Sequence, residues 1–298
     1  MKPKSKKQPQ RKPENVTYQA VVKQASAFLK EAGREGEMAE RYLMDVNEWT
    51  LTDWIVKKNQ SFPEAERMQY WDAMQKIVQE EWPYQYLTGR AWFYHYPFHV
   101  TPDTLIPRQE TELLVSAVLK HIQKENISKT AKVLDIGTGS GAIAVTLKLE
   151  CPTLNVTATD LSPAALVVAE ENAHQLQSGA IDFRVGDLFE PVLGEMFDVI
   201  VSNPPYIAED EIDVMGSDVL RHEPPQALFA KNHGYAIYWR ILRKLKMYIR
   251  PGGYFLAECG YKQGPTLKEA FQSAFPKEEV TLISDYAGIE RILVVHFD

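Results

Sequence analysis

The sequence has few of the residues that metal–thiolate sites and disulfide-stabilised folds require. Only two of its 298 residues are cysteines, Cys151 and Cys259, and they lie far apart without Cys-x-x-Cys spacing. This cysteine usage argues for a reducing compartment and against a thiolate-bound metal site. The seven histidines are scattered along the chain, so we expect no metal site.

Long apolar runs are also absent. No segment approaches the length of a membrane-spanning helix, and no apolar stretch typical of a secretion signal stands near the first residue. We therefore expect no membrane partner and a cytoplasmic location. Apolar residues still make up 45% of the chain, which is enough for a sizeable core in two domains.

The first residues of the chain are strongly basic, although the chain as a whole is acidic. Residues 1–13 carry a charge of +6 and no acid, against −7 for the whole chain and −13 for the remainder. With three prolines among them, these residues are typical of a disordered basic tail, which we expect to be dispensable for the chemistry. The acidic remainder argues against a large nucleic-acid-binding face, so we expect no direct DNA partner.

Residues 14–82 predict a small helical domain. Apolar side chains recur at helical spacing, for example at Val21 and Ala25. A third helix is expected to begin near Ser61, whose spacing to Glu64 permits a capping box. The domain contains neither a glycine-rich loop nor an acid–base cluster, which favours a role in substrate recognition.

Residues 83–107 predict a linker with a β-hairpin. Aromatic side chains dominate the stretch from Trp92 to Phe98, which is typical of two short extended strands, and we expect the turn at Pro97. We expect this hairpin to contact the body of a protein substrate together with the helical domain.

Residues 108–298 predict an α/β domain. From Ala131 onward, strand and helix patterns alternate, which indicates a mostly parallel sheet covered by helices. The last two predicted strands, Val280–Ser284 and Arg291–Phe297, are joined by a short turn. A short turn joins antiparallel strands, so these two predict an antiparallel hairpin at the C-terminal edge.

A glycine-rich loop follows the first predicted strand of this domain and opens its first helix. Such a loop lets a ligand approach bare backbone, and amide groups at the helix start point towards the ligand. The residues concerned are Gly137, Thr138, Gly139, Ser140 and Gly141. Asp160 ends the next strand, where its carboxylate can accept both hydroxyls of a ribose. NAD and S-adenosylmethionine share this ribose, so the loop and Asp160 leave both cofactors open.

Two further segments favour S-adenosylmethionine. Asp187 and Leu188 follow the next strand, where they could contact an adenine. The apolar strand Phe197–Val201 leads to Asn203-Pro204-Pro205-Tyr206, whose prolines end the strand and stiffen the turn beyond it. An amide and an aromatic ring are thereby held where open α/β sheets bind ligands, and neither has a role in hydride transfer.

Together these motifs resemble the release-factor glutamine methyltransferases of the HemK type. The resemblance runs from about Glu14 onward and includes, besides the glycine loop and Asn203–Tyr206, the stretches Tyr86–Gly89, Leu105–Glu112, Glu223-Pro224 and Asp285–Arg291. Asn-Pro-Pro-Tyr is shared with adenine methyltransferases. The stretch Ile106–Glu112, combined with an N-terminal helical domain, is more specific and favours release factors over ribosomal proteins. Gln109 departs from the family, which usually has proline there.

The resemblance implies a Rossmann-like class I methyltransferase sheet that binds S-adenosylmethionine, with peptide chain release factors as partners. It implies methyl transfer to the side-chain amide nitrogen of the glutamine in a Gly-Gly-Gln tripeptide. Asn203, Pro204 and Tyr206 are the implied catalytic residues, and Asn203 also faces the cofactor. Pro205 and Arg108 join these three in binding the substrate. We expect a monomer.

Two other functions stay open from the sequence. The first is the same chemistry on a ribosomal protein or on the amino group of adenine, and the second is a non-enzymatic ribosome-binding module that keeps a nucleoside pocket. An enzyme that flips adenine out of DNA needs a basic groove, whereas the body of this chain is acidic. A binding module has no need of an intact Asn203–Tyr206 segment.

Overall fold

A computed structural model describes residues 16–124 and 130–298 of the chain. The chain divides into two compact units, one ending at Thr88 and the other running from Gly89 to Asp298. The predicted basic tail, residues 1–13, lies outside the described residues. The predicted limits of the helical domain at residue 82 and of the linker at residue 107 stay predictions.

The first unit is built from short helices around one aromatic-rich core. Its helices are α1 (Tyr18–Glu31), α2 (Met38–Val46), α3 (Leu51–Lys57), α4 (Glu64–Gln75) and α5 (Tyr84–Thr88), with a π-helical turn at Lys76–Glu80. The ring of Tyr18 stacks on Phe62 with a centroid separation of 4.1 Å, and both rings are buried. Apolar side chains at helical spacing therefore form this core, as the sequence pattern predicts.

The predicted capping box at Ser61 is wrong. Helix α4 begins at Glu64 after Pro63, which has no side chain able to cap, because Ser61 is instead held in an extended bridge with Thr17. A capping box occurs at α3, a helix that the sequence analysis did not separate from its neighbours. There Thr50 Oγ1 accepts the Asp53 amide at 3.1 Å, and the Asp53 carboxylate accepts the Thr50 amide at 2.9 Å.

The second unit contains a two-stranded and a seven-stranded sheet. The small sheet pairs β1 (Arg90–Phe93) with β2 (Tyr96–His99). The strands of the large sheet are β3 (Lys132–Ile136), β4 (Asn155–Asp160), β5 (Asp182–Val185), β6 (Phe197–Ser202), β7 (Ile249–Glu258), β8 (Glu279–Ser284) and β9 (Glu290–Phe297). The helices are α6 (Gln109–Lys124), α7 (Ala142–Glu150), α8 (Pro163–Gln175), α9 (Ser217–His222), α10 (Pro225–Leu228), α11 (Ala236–Lys244) and α12 (Gly264–Ala274). None of the helices within the two described ranges is long and apolar enough to cross a membrane.

The large sheet confirms the predicted fold class. Its strand order is β5-β4-β3-β6-β7-β9-β8, and all pairs from β5 to β7 are parallel. Strand β9 runs antiparallel to both β7 and β8, so an antiparallel hairpin forms the C-terminal edge.

The turn of the small sheet differs from the prediction. Pro97 lies inside β2 opposite Trp92, and the two-residue turn is formed by Tyr94 and His95, whose φ angles are 50° and 71°. A two-residue hairpin loop of this type requires positive φ at both central positions. Pro97 is tolerated in the strand because a two-stranded sheet has only edge strands, where a missing donor can face away from the ladder.

Both faces of the large sheet are covered, which explains the continuous apolar runs of its central strands. Along β6, Val199 and Val201 belong to one core cluster and Ile200 to the other, and all three are buried. Helices α6 and α7 pack on the first face, and α11 and α12 pack on the second. Successive residues of a strand point to opposite faces, so a run without polar residues buries both.

The strand order creates one crevice at the carboxyl end of the sheet. From β3 the chain continues outward through β4 and β5 and then returns to the other side of β3 as β6. At such a reversal the connections leave in opposite directions and leave a space between them. Ile136 and Ser202 are register partners at the ends of β3 and β6, and Ser202 Oγ donates to the Ile136 carbonyl at 2.8 Å. The residues that follow these strands therefore border the same crevice.

The tight packing of α7 against α8 predicts a large cost for a side chain at Gly141. Gly141 has φ 80°, and a Cβ there would lie 3.2 Å from the Ala169 Cα. Gly194 is a matched control, since its φ is 83° and a Cβ would meet no atom within 4 Å. Both alanine variants adopt a left-handed backbone at a cost of roughly 1–2 kcal/mol. Only Gly141→Ala adds overpacking, roughly 1–3 kcal/mol more.

We expect urea unfolding to show this difference between the two variants in the free energy of unfolding. Equal destabilisation by Gly141→Ala and Gly194→Ala would show that α8 shifts to accommodate the added methyl group without overpacking.

Candidate active site

The glycine loop between β3 and α7 presents bare backbone to the crevice. The amides of Gly137 and Thr138 both donate to the Thr159 carbonyl, at 2.8 and 3.0 Å, which ties the loop to β4. A Cβ built at Gly137 or Gly139 would meet no atom within 4 Å, and both glycines line a cavity. Space for a ligand therefore adjoins the loop backbone.

This first cavity has a volume of about 200 Å³ and takes in most of the predicted cofactor residues. Its walls include Gly137, Thr138, Gly139, Ser140, Asp160, Asp187, Leu188 and Asn203. Gly141 is the exception, because it faces the packing against α8 instead of the cavity.

Asp160 lies partly buried at the wall of the first cavity. Its Oδ2 accepts the Gly139 amide and its Oδ1 accepts the Ser162 amide, both at 2.8 Å. Burial raises the pKa of this carboxyl group above its ordinary value, although these amide bonds favour the ionised form. Each carboxylate oxygen keeps a further lone pair, so Asp160 can still accept hydroxyl groups of a ligand.

Asp135 holds the glycine loop through a side-chain hydrogen bond. Its Oδ2 accepts the Thr138 hydroxyl at 2.6 Å, while Oδ1 has no hydrogen-bond partner within residues 16–124 and 130–298. Burial raises the pKa of Asp135 to about 7, and the nearby Asp160 charge acts in the same direction. The sequence analysis did not include Asp135 among the site residues, although it is an acid at the end of a strand, as Asp160 is.

The wall after β5 is formed by Asp187 and Leu188. The Asp187 carboxylate pairs with Arg240 of α11, and Arg240 and Ile237 line the same cavity. Leu188 has φ 53°, a conformation that costs a branched side chain of order 1–3 kcal/mol and that concentrates at functional sites. The contribution of α11 has no sequence signal, because its residues follow an ordinary amphipathic pattern.

A second cavity, of about 190 Å³, also borders the segment after β6. Asn203, Pro204, Pro205 and Arg108 line both cavities, whereas Tyr206 lines only the second. Further walls of the second cavity are Ile207, Met215, Val219, Leu228 and Glu258. The segment Asn203–Pro205 thus forms a shared wall, which borders both cavities.

Hydrogen bonds hold this segment in place. Asn203 Nδ2 donates to Thr111 Oγ1 at 3.0 Å, and the Tyr206 hydroxyl donates to Glu258 Oε1 at 3.2 Å. The Tyr206 carbonyl accepts Gln263 Nε2 at 3.0 Å. Burial raises the pKa of Tyr206 well above its ordinary value, so its hydroxyl stays a donor. Burial also raises the pKa of Glu258.

Arg108 is positioned by an ion pair. Its guanidinium lies 2.5 Å from Oε1 of the buried Glu223, whose Oε2 accepts the Ile106 amide at 3.2 Å. Gln109 begins α6, and the first position of a helix accepts either glutamine or proline. The departure from the family pattern at Gln109 therefore leaves Arg108 anchored by Glu223.

Comparisons with known proteins agree with this architecture. Residues 109–230 match the family model of the methyltransferase small domain, and residues 20–89 match that of the PrmC N-terminal domain. The chain is 40% identical to a release factor glutamine methyltransferase of Staphylococcus aureus, over 93% of this chain and 98% of that protein. A relative of the same description from Enterococcus faecalis is 38% identical over 93% and 98%.

One solved structure shows the same fold at low sequence identity. The catalytic domain of hMettl16, crystallised with a MAT2A 3′UTR hairpin, covers 88% of this chain and 90% of its own length with a TM-score of 0.54. At a sequence identity of 15%, the similarity concerns the fold alone.

The strand order of the large sheet, the crevice at its carboxyl end and the match to the methyltransferase small domain define the class of protein. It is an S-adenosylmethionine-dependent methyltransferase with a Rossmann-like fold. Within this class the chain belongs to the release factor glutamine methyltransferase family, since relatives of that description match it over nearly its whole length.

The residues of the first cavity fit S-adenosylmethionine. Gly137 and Gly139 leave their backbone open to the adenosine and methionine portions, and Asp160 offers acceptors for ribose hydroxyls. Leu188 and Ile237 supply apolar surface for a purine ring, beside the polar group of Asp187. We expect these side chains to hold the cofactor, and their individual roles stay predictions.

The first test of this cavity is Asp160→Ala. Charge-assisted hydrogen bonds contribute roughly 1.5–3 kcal/mol each, so we expect the variant to bind S-adenosylmethionine at least about tenfold more weakly. Asp182→Ala is a matched control, because Asp182 begins β5 at the opposite end of the sheet. Calorimetry measures both affinities.

An unchanged affinity of a folded Asp160→Ala protein for S-adenosylmethionine would show that Asp160 does not bind the cofactor. Binding of NAD by the wild-type protein with comparable strength would contradict the cofactor assignment.

Proposed function

We propose that this protein methylates the side-chain amide nitrogen of the glutamine in the Gly-Gly-Gln tripeptide of peptide chain release factors. The observation that carries the proposal is the shared wall Asn203–Pro205, which borders both a cavity suited to the cofactor and a second one of about 190 Å³. The description of the relatives as release factor glutamine methyltransferases supports the substrate. We expect the protein to act as a monomer in the cytoplasm, without binding DNA.

The reaction needs an oriented nucleophile. S-adenosylmethionine supplies an electrophilic methyl group, whereas an amide nitrogen is a poor nucleophile because its lone pair is delocalised into the carbonyl. The Asn203 side-chain oxygen and the Pro204 carbonyl would each accept one N–H of the substrate amide. Two such acceptors fix the plane of the amide and stabilise the positive charge that develops on nitrogen.

Tyr206 and Arg108 would complete the substrate side. The ring of Tyr206 borders the second cavity, where it can pack against a flat amide group, and its hydroxyl is tied back to Glu258. Arg108, held by Glu223, adds a fixed positive charge at the edge of both cavities. As the new N–C bond forms, the nitrogen becomes strongly acidic and releases its proton without a strong base.

The helical unit would recognise the body of the release factor. Its core is complete in itself, and the two described cavities are lined by residues of the second unit. The match of residues 20–89 to a domain model of its own supports a separate task. The aromatic hairpin, with Trp92 half exposed, would contribute to the same contact.

The central test is Asn203→Ala. Loss of one preorganised partner of the transition state lowers rates by roughly 10²–10³-fold, or about 2.7–4 kcal/mol, and we expect a loss of this size. Cofactor affinity should change much less, since most contacts to adenosine lie elsewhere. Asn155→Ala is the matched control, because Asn155 caps the far end of β4 against the Thr130 carbonyl. Single-turnover methyl transfer to intact release factor measures the rate.

Parallel substrates decide between the candidate functions. A release factor with its Gly-Gly-Gln glutamine replaced should stay unlabelled, and undiminished labelling would contradict the proposed target. Methylation of a DNA oligonucleotide or of a ribosomal protein in preference to release factor would favour the corresponding alternative.

Removal of the helical unit should separate recognition from cofactor binding. A protein beginning at Gly89 should keep its affinity for S-adenosylmethionine but lose more than about tenfold of its activity on whole release factor, because the contact surface is gone. Deletion of residues 1–13 alone is the control and should leave the activity unchanged. Full activity without the helical unit would show that it serves another purpose.

A further inference from the structure

A buried carboxylate lies directly behind the shared wall. Glu258 ends β7 with only 2% of its surface exposed, and its Oε1 accepts the Tyr206 hydroxyl. The Thr111 side chain lies beside this carboxylate and, like Tyr206, favours its ionised form. Its Oε2 has no hydrogen-bond partner in the described part of the chain. Oε1 is therefore the oxygen that holds the Tyr206 hydroxyl.

Thr111 connects this carboxylate to Asn203. Thr111 is 4% exposed, in the first turn of α6, and its Oγ1 lies 3.0 Å from Asn203 Nδ2. A hydroxyl group has one proton to donate and two lone pairs to accept with. The Glu258 carboxylate is the acceptor beside this hydroxyl. With the proton turned towards it, Thr111 Oγ1 accepts from Asn203, and the partner atom is the NH₂ group, as the contact is oriented in this structure.

The direction of these bonds decides which face Asn203 shows to a ligand. An asparagine amide can rotate by half a turn with little change of shape, and it then exchanges a donor for an acceptor. With its NH₂ group bound to Thr111, Asn203 presents its oxygen on the opposite side of the amide, and the residue lines both cavities. An amide nitrogen that must lose a proton needs an acceptor there and would be repelled by a donor.

We propose that Thr111 and Glu258 are positioning residues, which fix the amide orientation of Asn203 so that its oxygen faces the substrate nitrogen. The inference rests on the proposed function, and neither residue needs to touch the substrate. Oε1 stays an acceptor for the Tyr206 hydroxyl whether or not the carboxyl group carries a proton on Oε2. Glu258 also holds the Tyr206 hydroxyl and thereby aligns both side chains of the segment.

The test compares Thr111→Val with Thr111→Ser. Valine keeps the shape but removes the hydroxyl, so Asn203 loses its fixed orientation. We expect kcat to fall about tenfold or more, the scale of one lost hydrogen bond, with KM for release factor and the Kd for S-adenosylmethionine within about threefold. Serine restores the hydroxyl and should keep kcat within about threefold of the wild type.

Thr146→Val is the matched control for the substitution itself. Thr146 is also fully buried, in α7, and its hydroxyl has no partner among the described residues. Its replacement should leave kcat unchanged. A wild-type kcat of Thr111→Val would overturn the inference, and so would a serine variant as impaired as the valine variant.

A second variant tests the direction of the hydrogen bonds. Glu258→Gln keeps size and shape, but its NH₂ group can donate to Thr111, whose proton is then free to turn towards the Asn203 oxygen. We expect kcat to fall about tenfold at unchanged cofactor affinity. A Glu258→Gln enzyme with wild-type kcat would overturn the role of the carboxylate.

Failure of the inference and failure of the proposed function give different results. If the wild-type protein transfers no methyl group to any release factor, the proposed function is refuted and the inference with it. If the wild-type protein is active and Thr111→Val is equally active, the inference alone is refuted.

Discussion

The pairing of β3 with β6 is the interaction on which the rest of the site depends. Because the two strands are parallel and neighbours, Ile136 and Ser202 end at the same level, and the side-chain bond from Ser202 secures them there. The glycine loop and the segment from Asn203 onward consequently begin side by side, although 66 residues separate the two partners in the chain. Any shift of this register by one residue would move the polar ends apart and turn the apolar side chains to the wrong face of the sheet.

Acids near strand ends recur around the crevice, and each accepts a different set of hydrogen bonds. Asp135 accepts a hydroxyl, Asp160 accepts two backbone amides and Glu258 accepts the Tyr206 hydroxyl. Removing a carboxylate from water disfavours its charged form, which is why the pKa values of all three are raised. The folded chain tolerates the desolvation of these carboxylates because their oxygens accept hydrogen bonds that fix the neighbouring loops and side chains.

Local patterns were enough to predict most of the sheet and the residues that lie at its carboxyl end. Strands with buried faces, glycine next to a helix start and proline after a strand are all signals within a few residues. The turn at Tyr94-His95 escaped prediction because bulky residues rarely adopt positive φ, and the separate helix α3 escaped because its boundaries are only short turns. The contacts of Thr111 and Glu258 with the segment after β6 join residues 92 and 52 positions apart, and such side-chain contacts follow from tertiary packing, which no local pattern encodes.

The shared wall between the two cavities restricts how this enzyme could change its substrate. A substitution in Asn203–Pro205 alters both compartments at once, so it cannot adjust one ligand while sparing the other. Met215, Val219 and Leu228, by contrast, border only the second cavity, and they stand on the connection between β6 and α11, which carries no strand of the sheet. Substitutions in that connection could reshape the second cavity for a different peptide while the cofactor-binding residues stay the same. A new substrate specificity would therefore arise in the connection between β6 and α11, without any change in the shared wall.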